Sequence, residues 1–110
     1  MRILVSGATT TVDRLATTPI ARHHLGRLHT PRGGHVMTDD IPWSCDNDAF
    51  SGFNPDAFLT MLRKIDKRSR LMWVACPDVV GKWKLTLTAF WEWQAEVKKY
   101  NLPVAIVLQD

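Results

Sequence analysis

Cysteine is scarce in this sequence of 110 residues, which contains only Cys45 and Cys76. Two cysteines are too few for the disulfide framework of a small secreted domain, and their spacing matches no zinc motif built from C-x-x-C pairs. We therefore expect two reduced thiols that are buried as small apolar side chains.

Long apolar runs and cofactor motifs are absent as well. No apolar run approaches the roughly 18 residues that a membrane-spanning helix requires, and the N-terminal segment has no long apolar stretch followed by a cleavage site. The four histidines have no carboxylate partner at a recognised metal-ligand spacing, and the segment from Ser6 to Thr10 has one glycine where a dinucleotide-binding loop needs three. These absences predict a soluble cytoplasmic protein that binds no membrane, metal or cofactor.

The residues that are present suit a single globular domain. Apolar residues make up 45% of the chain and charged residues 23%, which is close to the average for soluble domains and enough to form a core. We expect one domain spanning residues 1–110. The net charge of +3 permits a polyanionic partner, but the basic run from Arg63 to Arg70 fits the end of a helix, where cations are favoured.

Segments of strand length alternate with helical patterns along the chain. The predicted strands are residues 2–6, 26–30, 71–76 and 104–108. Asn54 and Pro55 predict the start of one helix, and a second amphipathic helix is predicted over 85–100. We interpret 39–46 as an irregular loop. The order predicts an α/β fold, with three to four parallel strands and crossover helices.

Three aspartates recur at an interval typical of one βα unit. Asp46, Asp78 and Asp110 are each 32 residues apart, and the last two follow predicted strands. Because the carboxyl ends of parallel strands open onto one crevice, we expect these carboxylates to share a site. The alternative is that each aspartate only forms a turn after a strand, as aspartate commonly does.

The sequences around these aspartates resemble those of a known family. CDNDAF at 45–50, CPDVVG at 76–81 and VLQD at 107–110 are similar to three successive motifs of the tRNA-guanine transglycosylase superfamily. The resemblance covers roughly residues 42–110 and is greatest to phage and bacterial relatives that insert 7-deazaguanine bases into nucleic acid, often DNA. It implies a TIM barrel that exchanges guanine for a deazaguanine through a covalent aspartyl intermediate.

The resemblance also implies roles for five residues. Asp46 is similar to a carboxylate that acts as acid or base near the reacting ribose. Phe50 stands at the aromatic position that stacks on the base, and Asn47, which replaces a serine of the same motif, is expected to bind the substrate as part of the base pocket. Asp78 resembles the carboxylate that accepts hydrogen bonds from the ring N–H and amine of the base, and Gln109 the amide that donates to its carbonyl. An acceptor, a donor and a stacking ring define a pocket for a purine or 7-deazaguanine base.

The chain departs from the family in several ways. A TIM barrel typically needs about 250 residues, and the family's nucleophilic aspartate has no counterpart in this sequence. Asp48 occupies a position where the family prefers glycine. We therefore expect the N-terminal half of such an enzyme, inactive in base exchange by itself, with DNA or tRNA as its partner.

Two other functions are compatible with the sequence. The chain could be a non-catalytic α/β module that completes its sheet as a homodimer, with a missing C-terminal half or with another chain, because an open strand edge promotes association. It could also be part of a barrel hydrolase that uses paired carboxylates. Phe50 separates the transglycosylase from the barrel hydrolase. A purine pocket requires its ring to face the cleft beside Asp78 and Gln109, and burial of the ring in the core would exclude the pocket.

Overall fold

The structure, a computed structural model, describes residues 1–33 and 37–108. These residues form five strands: β1 (Ile3–Val5), β2 (Leu25–His29), β3 (Trp43–Cys45), β4 (Leu71–Ala75) and β5 (Val104–Ala105). They also form four α-helices, α1 (Thr9–Ala16), α2 (Pro19–His24), α3 (Pro55–Arg63) and α4 (Trp83–Lys99), and a short 3-10 turn (Ala49–Ser51).

The five strands form one parallel sheet. Each strand pairs with its neighbours in the sequence, so the order across the sheet is β1-β2-β3-β4-β5. Helices lie in the connections β1–β2, β3–β4 and β4–β5. The α/β class and the parallel sheet predicted from the sequence are therefore confirmed.

The sheet has more strands than the three to four that were predicted. The strand that the sequence analysis missed is β3, which lies within the supposed irregular loop 39–46. It has only three residues, Trp43, Ser44 and Cys45, and all are completely buried, so neither alternation nor length reveals it in the sequence. Its conformation depends on pairing with β2 on one side and β4 on the other.

The last strand is shorter than the predicted 104–108. β5 contains two residues, Val104 and Ala105, which pair with Val74 and Ala75 of β4. Within the described residues no strand lies on its other side. The backbone after Ala105 therefore lacks the second neighbour that would extend the ladder.

The two longest helices lie close to their predicted positions. α3 begins where it was predicted to, with the side chain of Asn54 accepting a hydrogen bond from the backbone N–H of Ala57 at 3.1 Å and Pro55 in the first turn. α4 begins two residues before the predicted 85 and ends at Lys99. No helix in the described part of the chain has the length and apolar character needed to cross a membrane.

The main core lies between the helices α3 and α4 and the strands β3 and β4. Trp43 and Phe58 are completely buried in it. Trp93 packs edge-on against Phe53 and Phe58, with centroid distances of 5.2 and 5.7 Å. A smaller core, which includes Val12, joins α1 to β2. This packing fixes the ends of β3 and β4, where the predicted site residues lie.

Both cysteines are free and buried in the main core, as predicted. Burial raises the pKa of Cys45 to about 12 and the pKa of Cys76 to about 11. A thiol is nucleophilic only as the thiolate. Neither cysteine is therefore suited to act as a nucleophile near neutral pH.

Candidate functional site

The carboxyl ends of β3 and β4 carry most of the residues that the motifs indicated. Asp46 and Asn47 directly follow β3, and Asp78 lies three residues beyond the end of β4. We call this region the carboxyl edge and define it by Asp46, Asn47, Phe50 and Asp78. The predicted Gln109, together with Asp110, lies outside the described residues.

Asn47 connects the ends of the two strands. Its side chain is buried, with 1% of its surface exposed. Its Nδ2 donates to the carbonyl oxygen of Cys76 and to Oδ1 of Asp78, both at 2.8 Å, and its Oδ1 accepts from the backbone N–H of Ala49 at 2.7 Å. Because both amide hydrogens are used within the protein, Asn47 holds Asp78 in place rather than reaching a ligand.

Asp78 is half-buried, and the loop that follows it is fixed to α4. Thr86 Oγ1 accepts a hydrogen bond from the backbone N–H of Val79 at 2.9 Å and donates to the Val79 carbonyl at 3.1 Å. Thr86 is itself buried, with 2% of its surface exposed. The carboxylate of Asp78 is thus a well-oriented hydrogen-bond acceptor.

Asp46 and Asp48 shape the loop after β3. The backbone N–H of Asp46 donates to the carbonyl of His29 at 2.8 Å, and Asp46 Oδ2 accepts from the N–H of Asp48 at 3.3 Å. Asp48 has a φ of 64°, in the left-handed region that favours glycine. Arg32 Nε pairs with Asp48 Oδ2 at 3.1 Å, and Arg32 Nη2 donates to the carbonyl of Ser51 at 2.7 Å. Arg32 therefore clamps this loop.

Phe50 is exposed rather than buried in the core. It lies in the 3-10 turn, and 90% of its surface is accessible to solvent. The first residue of that turn, Ala49, is bonded to Asn47, the same side chain that holds Asp78. Burial of Phe50, which would have excluded a base pocket, is therefore not observed.

A cavity that the sequence analysis did not identify lies at the carboxyl ends of β1 and β2. It has a volume of about 210 Å³. The polar side chains of its lining are Thr9, Asp13, Arg27, His29 and Thr38. Arg27 and His29 alternate within β2, and two polar residues on one face of a buried strand are the signal that could have indicated this cavity.

Arg27 connects β2 to α1 and to the segment before β3 through two ion pairs. Its side chain is 7% exposed, and Nη2 lies 2.8 Å from Asp13 Oδ1 and 3.0 Å from Asp40 Oδ2. Burial lowers the pKa of Arg27, but the hydrogen bonds and charges of Asp40 and Asp13 outweigh this effect and raise it overall. We interpret Arg27 as a structural link from β2 to α1 and to the segment before β3.

Neither family models nor characterised proteins nor solved structures gave a match to the chain. Within residues 1–33 and 37–108, no group of three His, Cys, Asp or Glu side chains is placed to hold a metal ion. The transglycosylase resemblance therefore stays a prediction.

Proposed function

We propose that the carboxyl edge binds a purine-type base, and that the chain is the base-recognising part of an enzyme of guanine or 7-deazaguanine exchange. The observation that carries this proposal is the buried side chain of Asn47. It holds the carboxylate of Asp78 at 2.8 Å and is bonded to the turn that carries the exposed ring of Phe50. An oriented acceptor and a free aromatic ring are thus tied to one rigid residue.

The chemistry of guanine suits these two groups. Its ring N–H and exocyclic amine lie side by side, and one carboxylate can accept hydrogen bonds from both. The flat face of a base stacks on an aromatic ring whatever its hydrogen-bonding pattern. Asp78 accordingly supplies specificity and Phe50 supplies affinity, while Asp46 is the candidate acid or base toward the ribose. Asn47 is a positioning residue.

Two features of the backbone support the architecture implied by the resemblance. In a βα barrel each strand pairs in parallel with its sequence neighbours, whereas a doubly wound sheet reverses its order at a switch point. The five strands follow the barrel order. Asp48 has the backbone conformation that favours glycine, the residue the family prefers there. We extend the proposal to a TIM-barrel-like fold that acts in the cytoplasm, with DNA or tRNA as the source of the base.

The proposal assigns recognition, and not base exchange, to this chain. Exchange in the resembling family requires an aspartate nucleophile in addition to the residue that Asp46 resembles. We therefore expect these 110 residues by themselves to bind the free base without replacing guanine in DNA or tRNA.

Calorimetric titration with guanine and with 7-cyano-7-deazaguanine tests the base site. We expect saturable binding that becomes at least about tenfold weaker in Asp78→Asn, because charge-assisted hydrogen bonds are lost. Phe50→Ala should weaken binding about fivefold or more through the loss of stacking. Asp66→Asn, at an exposed residue outside the edge, is the matched control. Equal affinity of the wild type and a folded Asp78→Asn variant, or no binding by the folded wild type, would refute the proposal.

A particular surface favours a second function, association of two copies of the chain. On α4, Trp83, Leu87 and Trp91 are spaced four residues apart and are 53%, 40% and 62% exposed. Ile106 and Leu108, which follow β5, continue this apolar surface and line a shallow groove with Trp83 and Leu87. We call these five residues the α4 surface.

A second copy fits the α4 surface by charge and by area. Lys84 and Glu92 lie beside the apolar stripe, are exposed, and form no ion pair within the described residues. Two α4 helices packed antiparallel about Thr88 place Lys84 of each copy opposite Glu92 of the other. The surface exposes on the order of 500 Å² of apolar area, a large part of the roughly 800 Å² that each partner buries in a stable interface.

Light scattering coupled to gel filtration tests this association. We expect a dimer at micromolar concentration, and a monomer for Trp91→Glu, which places a charge in the stripe. Lys84→Glu should weaken the dimer, and the added change Glu92→Lys should restore it, since the charges then pair again. A wild-type monomer at all concentrations, or a charge swap without rescue, would exclude the antiparallel pair.

A further inference from the structure

The amino ends of four neighbouring strands enclose a basic groove. Arg2 precedes β1, Arg22 and His23 lie at the end of α2 just before β2, and Arg70 precedes β4. The groove has a volume of about 370 Å³, and its lining is Arg2, Pro19, Arg22, His23, Pro42 and Arg70. We call this feature the amino-edge groove. The side chains of three arginines therefore line one depression.

No carboxylate belongs to the lining as described, and the acidic residues nearby are already engaged. Asp39 Oδ1 accepts from Trp43 Nε1 at 2.8 Å and from the backbone N–H of Arg70 at 2.9 Å. Asp40 pairs with Arg27 at 3.0 Å. Within residues 1–33 and 37–108, no carboxylate therefore forms an ion pair with any of the three arginines of the groove.

Two of the arginines are held in place by backbone carbonyls. Arg2 Nη1 donates to the carbonyl of Leu25 at 2.7 Å, and Arg22 Nη2 donates to the carbonyl of Asp40 at 3.1 Å. Each bond uses one terminal nitrogen and leaves the other N–H donors of the guanidinium available. The guanidinium of Arg70 makes no hydrogen bond or ion pair with another described residue. The groove thus combines oriented donors with one unengaged cation.

We propose that the amino-edge groove binds a phosphate group. The planar guanidinium matches the oxygens of phosphate with paired N–H donors, which makes arginine the preferred residue for phosphate recognition. The phosphate can belong to a nucleic-acid backbone or to a small phosphate monoester, and both present the same oxygens. The groove lies at the amino ends of the strands, and the carboxyl edge lies at their opposite ends. The strands contain two to five residues and rise about 3.3 Å per residue, so the length of a strand separates the two sites.

The sequence analysis assigned the basic run from Arg63 to Arg70 to the end of a helix. Two arginines of this run, Arg68 and Arg70, have different surroundings in the structure. Arg68 Nη1 donates to the carbonyls of Tyr100 at 2.6 Å and Asn101 at 3.1 Å, which ties the segment before β4 to the segment before β5. Arg70 instead contributes its side chain to the amino-edge groove. Arg68 is therefore structural, and Arg70 is the residue whose substitution tests the site.

The test uses two probes on the full chain, a fluorescein-labelled single-stranded DNA followed by anisotropy and inorganic phosphate followed by calorimetry. We expect at least one of the two probes to bind the wild-type protein. Arg70→Gln should weaken the binding of that probe about tenfold, because one charge-assisted contact is lost. Arg63→Gln, the same substitution at an exposed arginine outside the groove, should leave the affinity within twofold. Arg70→Lys keeps the charge but loses the paired donors, and should give an intermediate affinity.

The two sources of phosphate give different results. If the ligand is a nucleic-acid backbone, the DNA should bind much more tightly than inorganic phosphate. The slope of the logarithm of the DNA-binding constant against the logarithm of the salt concentration should then be smaller in magnitude by about 0.7 in Arg70→Gln. A small phosphate ligand predicts that inorganic phosphate binds and displaces the DNA. If neither probe binds the folded protein, or if Arg70→Gln and Arg63→Gln behave alike, the proposal is wrong. Guanine binding at the carboxyl edge should be unchanged in Arg70→Gln, so failure of one site is distinguishable from failure of the other.

Discussion

At the scale of single residues, Asp39 joins the segments that precede β3 and β4. Its carboxylate accepts hydrogen bonds from Trp43 Nε1, from the hydroxyl of Ser69 and from the backbone N–H of Arg70. Burial raises the pKa of Asp39, but the hydrogen bonds from Ser69, Trp43 and Arg70 outweigh this effect and lower it overall. The ionised form of Asp39 is therefore stabilised by folding.

We predict that Asp39 makes stability depend on pH in the acid range. Because its pKa is lower in the folded state than in the unfolded state, its contribution is complete above the ordinary value of about 4 and is lost as the pH falls through the folded value. Asp39→Asn should lower the free energy of unfolding by about 1–2 kcal/mol at neutral pH and flatten the decline below about pH 4. Urea titrations at a series of pH values measure both effects. A variant with the pH profile of the wild type would contradict the prediction.

At the scale of secondary-structure elements, β1, β2 and the residue before β3 approach closely at Gly26. A Cβ atom there would lie 2.6 Å from Leu4 Cδ2 and 2.9 Å from the carbonyl oxygen of Pro42. That carbonyl accepts a hydrogen bond from the backbone N–H of Arg27 at 3.0 Å. The oxygen therefore cannot move away without weakening the contact between β2 and the start of β3.

We predict that Gly26→Ala destabilises the protein by about 1–3 kcal/mol, as overpacking of a filled core does. Gly7→Ala is the matched control, because a Cβ there meets nothing within 4 Å and the φ of 69° is the only obstacle. We expect that control to lose only about 1 kcal/mol through backbone strain. Thermal and urea unfolding of both variants measure the difference. An equal loss in the free energy of unfolding in the two variants would contradict the prediction, because it would mean that neighbouring atoms move to accommodate the added Cβ at residue 26.

At the scale of the whole molecule, the two thiols report on the cooperativity of the main core. Cys45 lies in the central strand β3, and Cys76 follows β4. Both are almost completely buried in the same core, together with Phe58 and Val97 from the packed helices. Access to either thiol requires these elements to separate.

We predict that neither thiol reacts with dithionitrobenzoate at pH 8 while the protein is folded. Burial raises the two pKa values to about 12 and about 11, so the reactive thiolate is scarce as well as inaccessible. In increasing urea, labelling of Cys45 and Cys76 should follow the unfolding transition measured by tryptophan fluorescence. Rapid labelling of one cysteine in the absence of urea would show that part of the core opens locally.

Features whose signals lie close together in the chain could be predicted from the amino-acid sequence. Asn54 and Pro55 mark the start of α3 because a cap and a proline act on the backbone of the same turn. The period of one βα unit indicated that Asp46 and Asp78 lie at one edge of the sheet, since parallel strands expose their carboxyl ends there, although the strand before Asp46 was not predicted. The burial of both cysteines followed from the apolar character of a free thiol, which makes cysteine one of the most often buried residue types.

Features that depend on residues distant in the chain could be recognised only in the folded protein. Trp43, Ser44 and Cys45 form a strand because β2 and β4 pair with them on both sides, and three residues carry no periodicity of their own. The amide of Asn47 is committed to the protein because folding brings Cys76 and Asp78 within hydrogen-bond distance. The amino-edge groove exists because neighbouring parallel strands bring their amino ends together, and no spacing in the sequence connects the arginines that line it.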